Sequence, residues 1–207
     1  ITLLLPETRR VSVEVQKRFT IFKGINNIIA ALRDVDAKNV YLTVLLFMSG
    51  FAFLTSFTGV LLVDKFSLSA AGVGTYFGAI GAWIVFTQLG ILRILAPRYD
   101  ERTILRVTLL AVGATIALTP FLPSLMWFYL IMPFTAVPVG LTLANLNALV
   151  SKSVSAEKQG AALGISGSLQ AFAQGIVPLT AGIISGFFGI AAAFLLGGAL
   201  VISAWMV

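Results

Sequence analysis

Six long runs of apolar residues follow one another through most of this 207-residue chain. An α-helix of about 20 apolar residues crosses the hydrocarbon core of a bilayer, and the runs are close to that length. Short separators rich in charged, hydroxyl, glycine and proline residues divide them. The pattern therefore predicts an all-α integral membrane protein. Its transmembrane helices are predicted at about residues 41–63, 72–95, 103–120, 125–150, 161–184 and 187–207.

The chain before these runs has a different character. Residues 1–6 are apolar but too few to span a membrane, so we expect them to be the end of a preceding helix that was cut within the bilayer. Residues 7–39 are strongly charged, and we expect a cytoplasmic linker there. We therefore divide the chain into this leading part, residues 1–39, and a six-helix bundle, residues 40–207.

One stretch of the linker is amphipathic. Its apolar positions share one face at helical spacing, and they are Phe22, Ile25, Ile29 and Leu32. This spacing predicts a helix that lies on the membrane surface. A short solvated linker helix explains the same pattern, and the sequence leaves both interpretations open.

The composition supports a membrane location and excludes several kinds of chemistry. Hydrophobic residues make up 58% of the chain and charged residues 11%, against about 25% charged in ordinary globular domains. The chain contains no histidine and no cysteine, and its carboxylates are confined to loops, so we expect no metal site, no cofactor and no enzymatic activity. Basic residues sit in loops between apolar runs, which argues against nucleic acid as a partner. The expected surroundings are a lipid bilayer.

The basic residues also predict an orientation. With six spans, thirteen of the fourteen lysines and arginines fall on one side, and only Lys65 falls on the other. Because cytoplasmic loops carry an excess of lysine and arginine, the linker, the basic loops and the end of the chain at Val207 are predicted to be cytoplasmic. We expect a multi-pass protein of a bacterial-type inner membrane or a plasma membrane.

Three segments carry a resemblance to a known family. Residues 1–10, ITLLLPETRR, resemble the end of the sixth helix and the start of the central loop in major facilitator superfamily transporters. The second run and its exit, residues 72–105, resemble the eighth helix and the following cytoplasmic loop motif, with Arg98 and Arg102 at its basic positions. The motif's aspartate and glycine are absent from the expected places. Residues 151–182 resemble the eleventh helix of drug:proton antiporters.

The resemblance implies that this chain is the C-terminal half of a transporter. That half would be one bundle made of two inverted three-helix repeats, with a small organic solute bound between it and an N-terminal six-helix half. The partner half would belong to the same polypeptide or to a separate chain. The implied activity is secondary active transport by alternating access, including drug or metabolite efflux. A non-transporting scaffold subunit of a larger membrane complex is the alternative.

The spans contain no acidic or basic residue near their centres. Proton coupling usually needs an ionisable group within the membrane. If the transporter is an antiporter that uses protons, that group must therefore lie in the other half, whereas a facilitator needs none.

Polar side chains within the spans are the candidate pathway residues, because a polar group is costly in lipid unless it faces protein or water. In the fourth run they lie on one arc, and this helix resembles one that lines the cavity of the family. In the first run, Phe53 shares a face with two serines, and such an aromatic and hydroxyl wall suits an amphiphilic organic solute. The full set is Ser49, Phe53, Ser56, Thr135, Thr142, Asn145, Gln170 and Gln174. A hydrogen bond between helices, or packing against lipid, is the alternative role for each of them.

Glycines four residues apart predict close helix packing in the second and fifth runs. The pairs are Gly74 and Gly78, Gly160 and Gly164, and Gly182 and Gly186. In the family the corresponding helices pack against the other half. Packing within this half is the open alternative.

Overall fold

The computed structural model describes residues 38–207, and these residues form six main helices joined by short connections. The helices are α1 (Lys38–Phe66), α2 (Ala70–Phe86), α3 (Glu101–Leu118), α4 (Leu125–Lys152), α5 (Gln159–Phe188) and α6 (Ile190–Trp205). Helix α2 continues through a π-helical turn, Thr87–Ile91, and a last α-helical turn, Leu92–Leu95. The predicted end of a preceding helix and the predicted amphipathic linker helix lie outside the described residues.

Five of these helices, α1 to α5, are long and apolar enough to cross a membrane. The sixth apolar run forms α6, which has 16 residues and is therefore only about 24 Å long. It is shorter than predicted because α5 continues to Phe188, and the chain turns at Gly189 with a φ of +82°. Glycine adopts this left-handed conformation without the steric cost that a side chain would add.

The helices pack in an interleaved order. Helix α1 packs mainly on α5 and α6, whereas α4 packs mainly on α2 and α3. Helices α3 and α6 pack on each other, and α1 also contacts α4. Helices α1, α6, α3 and α4 thus form a ring, which α2 and α5 flank.

Two contacts show which helix ends lie together. The Lys152 ammonium at the end of α4 pairs with the Glu101 carboxylate at the start of α3. We call this end of the bundle the basic end, because every lysine and arginine of the described residues except Lys65 lies in or next to it. At the opposite end, Lys65 Nζ donates hydrogen bonds to the carbonyl oxygens of Pro120, at 3.0 Å, and Leu122, at 2.8 Å.

Aromatic side chains mark both ends. Trp127 and Tyr129 are exposed near the start of α4 at the opposite end, and Tyr99 and Trp205 are exposed at the basic end. Tryptophan and tyrosine favour the boundary between lipid and water, where an apolar ring and a polar group are both accommodated. Their positions agree with helices that run from one membrane surface to the other.

Candidate functional site

The flanking helices α2 and α5 are far less covered than the rest of the bundle. Within their most apolar 18-residue stretches, 6% of the residues of α2 and 17% of those of α5 are buried, against 44–56% in α1, α3 and α4. A helix with so little cover faces either lipid or another protein surface. The residues on the uncovered face therefore indicate which of the two it contacts.

Both flanking helices carry an uncovered row of glycines. On α2 the row is Gly74, Gly78 and Gly81, and on α5 it is Gly160, Gly164, Gly167, Gly175 and Gly182. Spacings of three and four residues, and their sums, place each row on one face. A Cβ atom built on any of these glycines, or on Gly186, would meet no atom of the described residues within 4 Å.

The predicted glycine pairs therefore do not mediate packing within the described part of the chain. The glycines that do so are others, which the sequence pattern did not reveal: Gly50, Gly113, Gly140, Gly197 and Gly198. A Cβ on Gly113 would lie 2.5 Å from a side-chain atom of Ile202 on α6. The sequence did contain one signal, the adjacent glycines Gly197 and Gly198 in α6. Gly197 lies against α1, and Gly198 lies against α3.

The predicted polar arc of α4 lies inside the bundle. Thr142 is fully buried, and its hydroxyl donates a 2.8 Å hydrogen bond to Thr108 Oγ1 on α3. The buried Asn145 amide donates a 2.8 Å hydrogen bond to the Leu141 carbonyl oxygen of its own helix. Thr142 therefore contacts α3, and both side chains are covered within the described part of the bundle.

The remaining residue of that arc is also covered. Thr135 is buried, and its hydroxyl donates to the Ile131 carbonyl oxygen one turn earlier in the same helix. A hydroxyl satisfied by its own helix costs little inside a bundle. On α1, Phe53 is buried too, and its Cβ would lie 2.7 Å from a Cβ built on Gly197. Phe53 therefore packs towards α6, whereas Ser49 and Ser56 are half-buried.

Uncovered polar groups occur instead on the flanking helices and on the far side of α4. Gln174 on α5, Gln88 in the π-helical turn of α2 and Asn147 on α4 are exposed, and Gln170 is half-buried. None of these four amides has a hydrogen-bond partner among residues 38–207. An amide without a partner is costly in lipid, which favours a protein or water surface next to these positions.

The basic end carries the predicted loop motif. Arg98 follows α2 and is exposed, and Arg102 lies in the first turn of α3. The Thr103 hydroxyl, in the first turn of α3, donates a hydrogen bond to the carboxylate of Asp100 just before the helix and thereby lowers the pKa of Asp100. In the described part of the chain, no group of three histidine, cysteine, aspartate or glutamate residues is placed to hold a metal ion.

Comparisons with known proteins agree with this architecture. A family sequence model described as Major Facilitator Superfamily matches residues 1–178. Among solved structures, the crystal structure of the human organic anion transporter MFSD10 (TETRAN) is similar, with a TM-score of 0.80 and 20% sequence identity. The match covers 89% of this chain and 46% of that chain, so this chain spans about half of that transporter. A search of curated proteins found no match.

Proposed function

This chain belongs to the major facilitator superfamily, and on that premise we propose that it forms one half of a secondary transporter. The transported species is a small organic solute, moved by alternating access between two six-helix halves. The similar human structure is that of an organic anion transporter, which makes organic anions the first solutes to examine.

The observation that carries the proposal is the pair of uncovered glycine rows on α2 and α5. A helix surface lined by glycine lets another helix backbone approach closely, and this contact provides better van der Waals packing than lipid chains do. We therefore expect another helix to cover each row. The helices that carry the rows lie beside the central pair, α2 against α4 and α5 against α1. We propose that they pack against the other half and that the solute passes between the halves.

The packing order supports an internal repeat. Helix α1 packs on α5 and α6, and α4 packs on α2 and α3, so exchanging the first three helices with the last three preserves the contacts. Two triplets of alternating helices run in opposite directions, which is the relation of inverted repeats. This symmetry makes α1 and α4 equivalent central helices.

The proposed pathway follows from exposure. Ser49 and Ser56 on α1, together with Gln170 and Gln174 on α5, are the predicted pathway residues that keep an uncovered surface. Asn147 joins them as an exposed amide on α4. The basic end is proposed to be cytoplasmic, because it holds the lysines and arginines of the described residues apart from Lys65.

A labelling experiment tests alternating access without knowledge of the solute. The chain contains no cysteine, so once any cysteine of the other half is replaced by serine, Gln174→Cys provides a single thiol about halfway along α5. In the complete protein in sealed vesicles, a membrane-impermeant maleimide is expected to label this thiol from either side. The matched control is Leu110→Cys near the middle of α3, a 39% exposed position that we expect to face lipid and to remain unlabelled.

The scaffold alternative gives a different result. If Gln174→Cys is labelled from neither side, or only from one side under every condition, alternating access is contradicted. Uptake of carboxyfluorescein, an organic anion, into proteoliposomes then measures transport itself. A Gly164→Leu variant is expected to reduce that uptake at least tenfold, since a bulky side chain would separate the two halves, while Val107→Leu leaves it unchanged.

A further inference from the structure

A cavity of about 330 Å³ opens at the basic end of the helix ring. The starts of α1 and α3 and the ends of α4 and α6 form its walls. Its inner wall is apolar and includes Leu105, Leu109, Leu146 and Leu149. Its volume is within the range of sites that hold small ligands, roughly 300–1,000 Å³.

The polar part of the wall is cationic. Arg102 and Arg106 both line the cavity, and they are separated by one helical turn, about 6 Å along α3. Neither arginine has an ion-pair partner within residues 38–207. Among the described residues, the carboxylates next to them in sequence are engaged elsewhere, because Glu101 pairs with Lys152 and Asp100 accepts a hydrogen bond from Thr103.

The cavity also lies at an end of the helices, where lipid headgroups are expected. Trp205 lines it and is half exposed, as is typical of a side chain at the boundary of the hydrocarbon. The arginines lie in the first two turns of α3, between the loop and the apolar wall. A ligand that combines an anionic phosphate with an apolar chain therefore matches both parts of this cavity.

We propose that this cavity binds the headgroup of an anionic phospholipid. The guanidinium groups of Arg102 and Arg106 bind the phosphodiester oxygens, for which their planar donors are well suited. The first carbons of an acyl chain lie against Leu105 and Leu109. Basic pockets between transmembrane helices hold anionic headgroups in this way. The proposal does not depend on solute transport.

Lipid retention tests the site directly. The complete protein is purified in detergent with an equimolar mixture of phosphatidylglycerol and phosphatidylcholine, and native mass spectrometry counts the bound lipids. Phosphatidylglycerol is expected to be retained preferentially. The Arg102→Gln/Arg106→Gln variant is expected to retain at least fivefold less phosphatidylglycerol than the unmodified protein. The control variant Arg93→Gln/Lys158→Gln removes two other cations of the same end that do not line the cavity, and should retain it.

Two further arms separate the possible results. The Arg102→Lys/Arg106→Lys variant keeps both positive charges and shows whether the protein still folds when the two arginines are replaced. It is expected to retain at least half as much phosphatidylglycerol as the unmodified protein. Inorganic phosphate at millimolar concentration should not displace phosphatidylglycerol, because it makes no contact with the apolar wall. Equal retention by the glutamine variant and its control would overturn the proposal. Full displacement by inorganic phosphate would also overturn it and indicate a free-anion site.

Discussion

Gly50 of α1 and Gly197 of α6 lie directly against each other. A Cβ built on Gly50 would be 2.4 Å from the Gly197 carbonyl oxygen, and a Cβ on Gly197 would be 3.2 Å from the Gly50 carbonyl oxygen. Real Cβ atoms essentially never come within 2.4 Å of another group, and a Cβ on Gly197 would also lie 2.7 Å from the Cβ of Phe53 on α1. This contact therefore requires glycine on both helices, and it lets α1 and α6 approach at backbone distance.

Replacing either glycine by alanine should destabilise the bundle. The added methyl group must push two backbones apart, and overpacking of this kind costs on the order of 2 kcal/mol. A fall of roughly 5 °C in Tm is expected for Gly50→Ala and for Gly197→Ala, measured by thermal unfolding in detergent. Gly90→Ala is the control, because the nearest atom to its Cβ is a Phe86 ring carbon at 3.8 Å. Equal Tm values for all three variants would contradict the packing.

The Thr142 to Thr108 hydrogen bond should contribute to stability but not to transport. Thr142→Val keeps the shape and removes the donor, and hydrogen bonds between membrane helices contribute about 0.6 kcal/mol on average. In a double-mutant cycle with Thr108→Val, the second substitution should add little to the first. Solute flux should remain near that of the unmodified protein. A loss of flux with unchanged stability would instead place Thr142 on the pathway.

Lys65 should hold the connection between α3 and α4. Its ammonium bonds to two carbonyl oxygens there, and Lys65→Met would remove both while keeping much of the apolar side chain. We expect faster hydrogen exchange and easier proteolytic cleavage of residues 119–125, with a loss of about 1 kcal/mol because the site is exposed. Lys65→Arg should keep residues 119–125 protected from hydrogen exchange and proteolysis. A Lys158→Gln variant, at the basic end, should leave this connection unchanged.

The turn after α1 offers a stabilising substitution. Ser67 has a φ of +53°, which is unfavourable for a residue with a side chain. Ser67→Gly should therefore stabilise the protein by about 0.5–1 kcal/mol, whereas Ser67→Ala should not. Thermal unfolding of the two variants checks this prediction, which fails if alanine stabilises as much as glycine.

The proposed orientation makes a prediction about loops. Ser124→Cys lies at the opposite end and Ser155→Cys at the basic end, and both positions are exposed. In intact cells an impermeant maleimide should label Ser124→Cys, while Ser155→Cys should react only after the membrane is permeabilised. The reverse result would contradict a cytoplasmic basic end.

Side-chain direction explains why some of the predicted pathway residues are covered by the bundle and others are not. Thr135, Thr142 and Asn145 share one arc of α4, as the periodicity predicted, and all three are buried, with Thr142 bonded to Thr108 of α3. Asn147 faces away from it and is exposed. A helical period shows which residues share a face, while the neighbour of that face depends on helices that are distant in the chain.

The sequence by itself determined the membrane class, the approximate helices and the basic and opposite ends. These follow from properties that act locally: apolar length, turn-forming separators and the placement of charge. Only the tertiary structure decided which glycines pack against a neighbouring helix. The α1–α6 contact joins Gly50 to Gly197 across most of the chain, whereas the glycine rows of α2 and α5 meet nothing among the described residues. Close packing depends on how backbones are arranged in space, and a spacing of four residues carries no information about the partner.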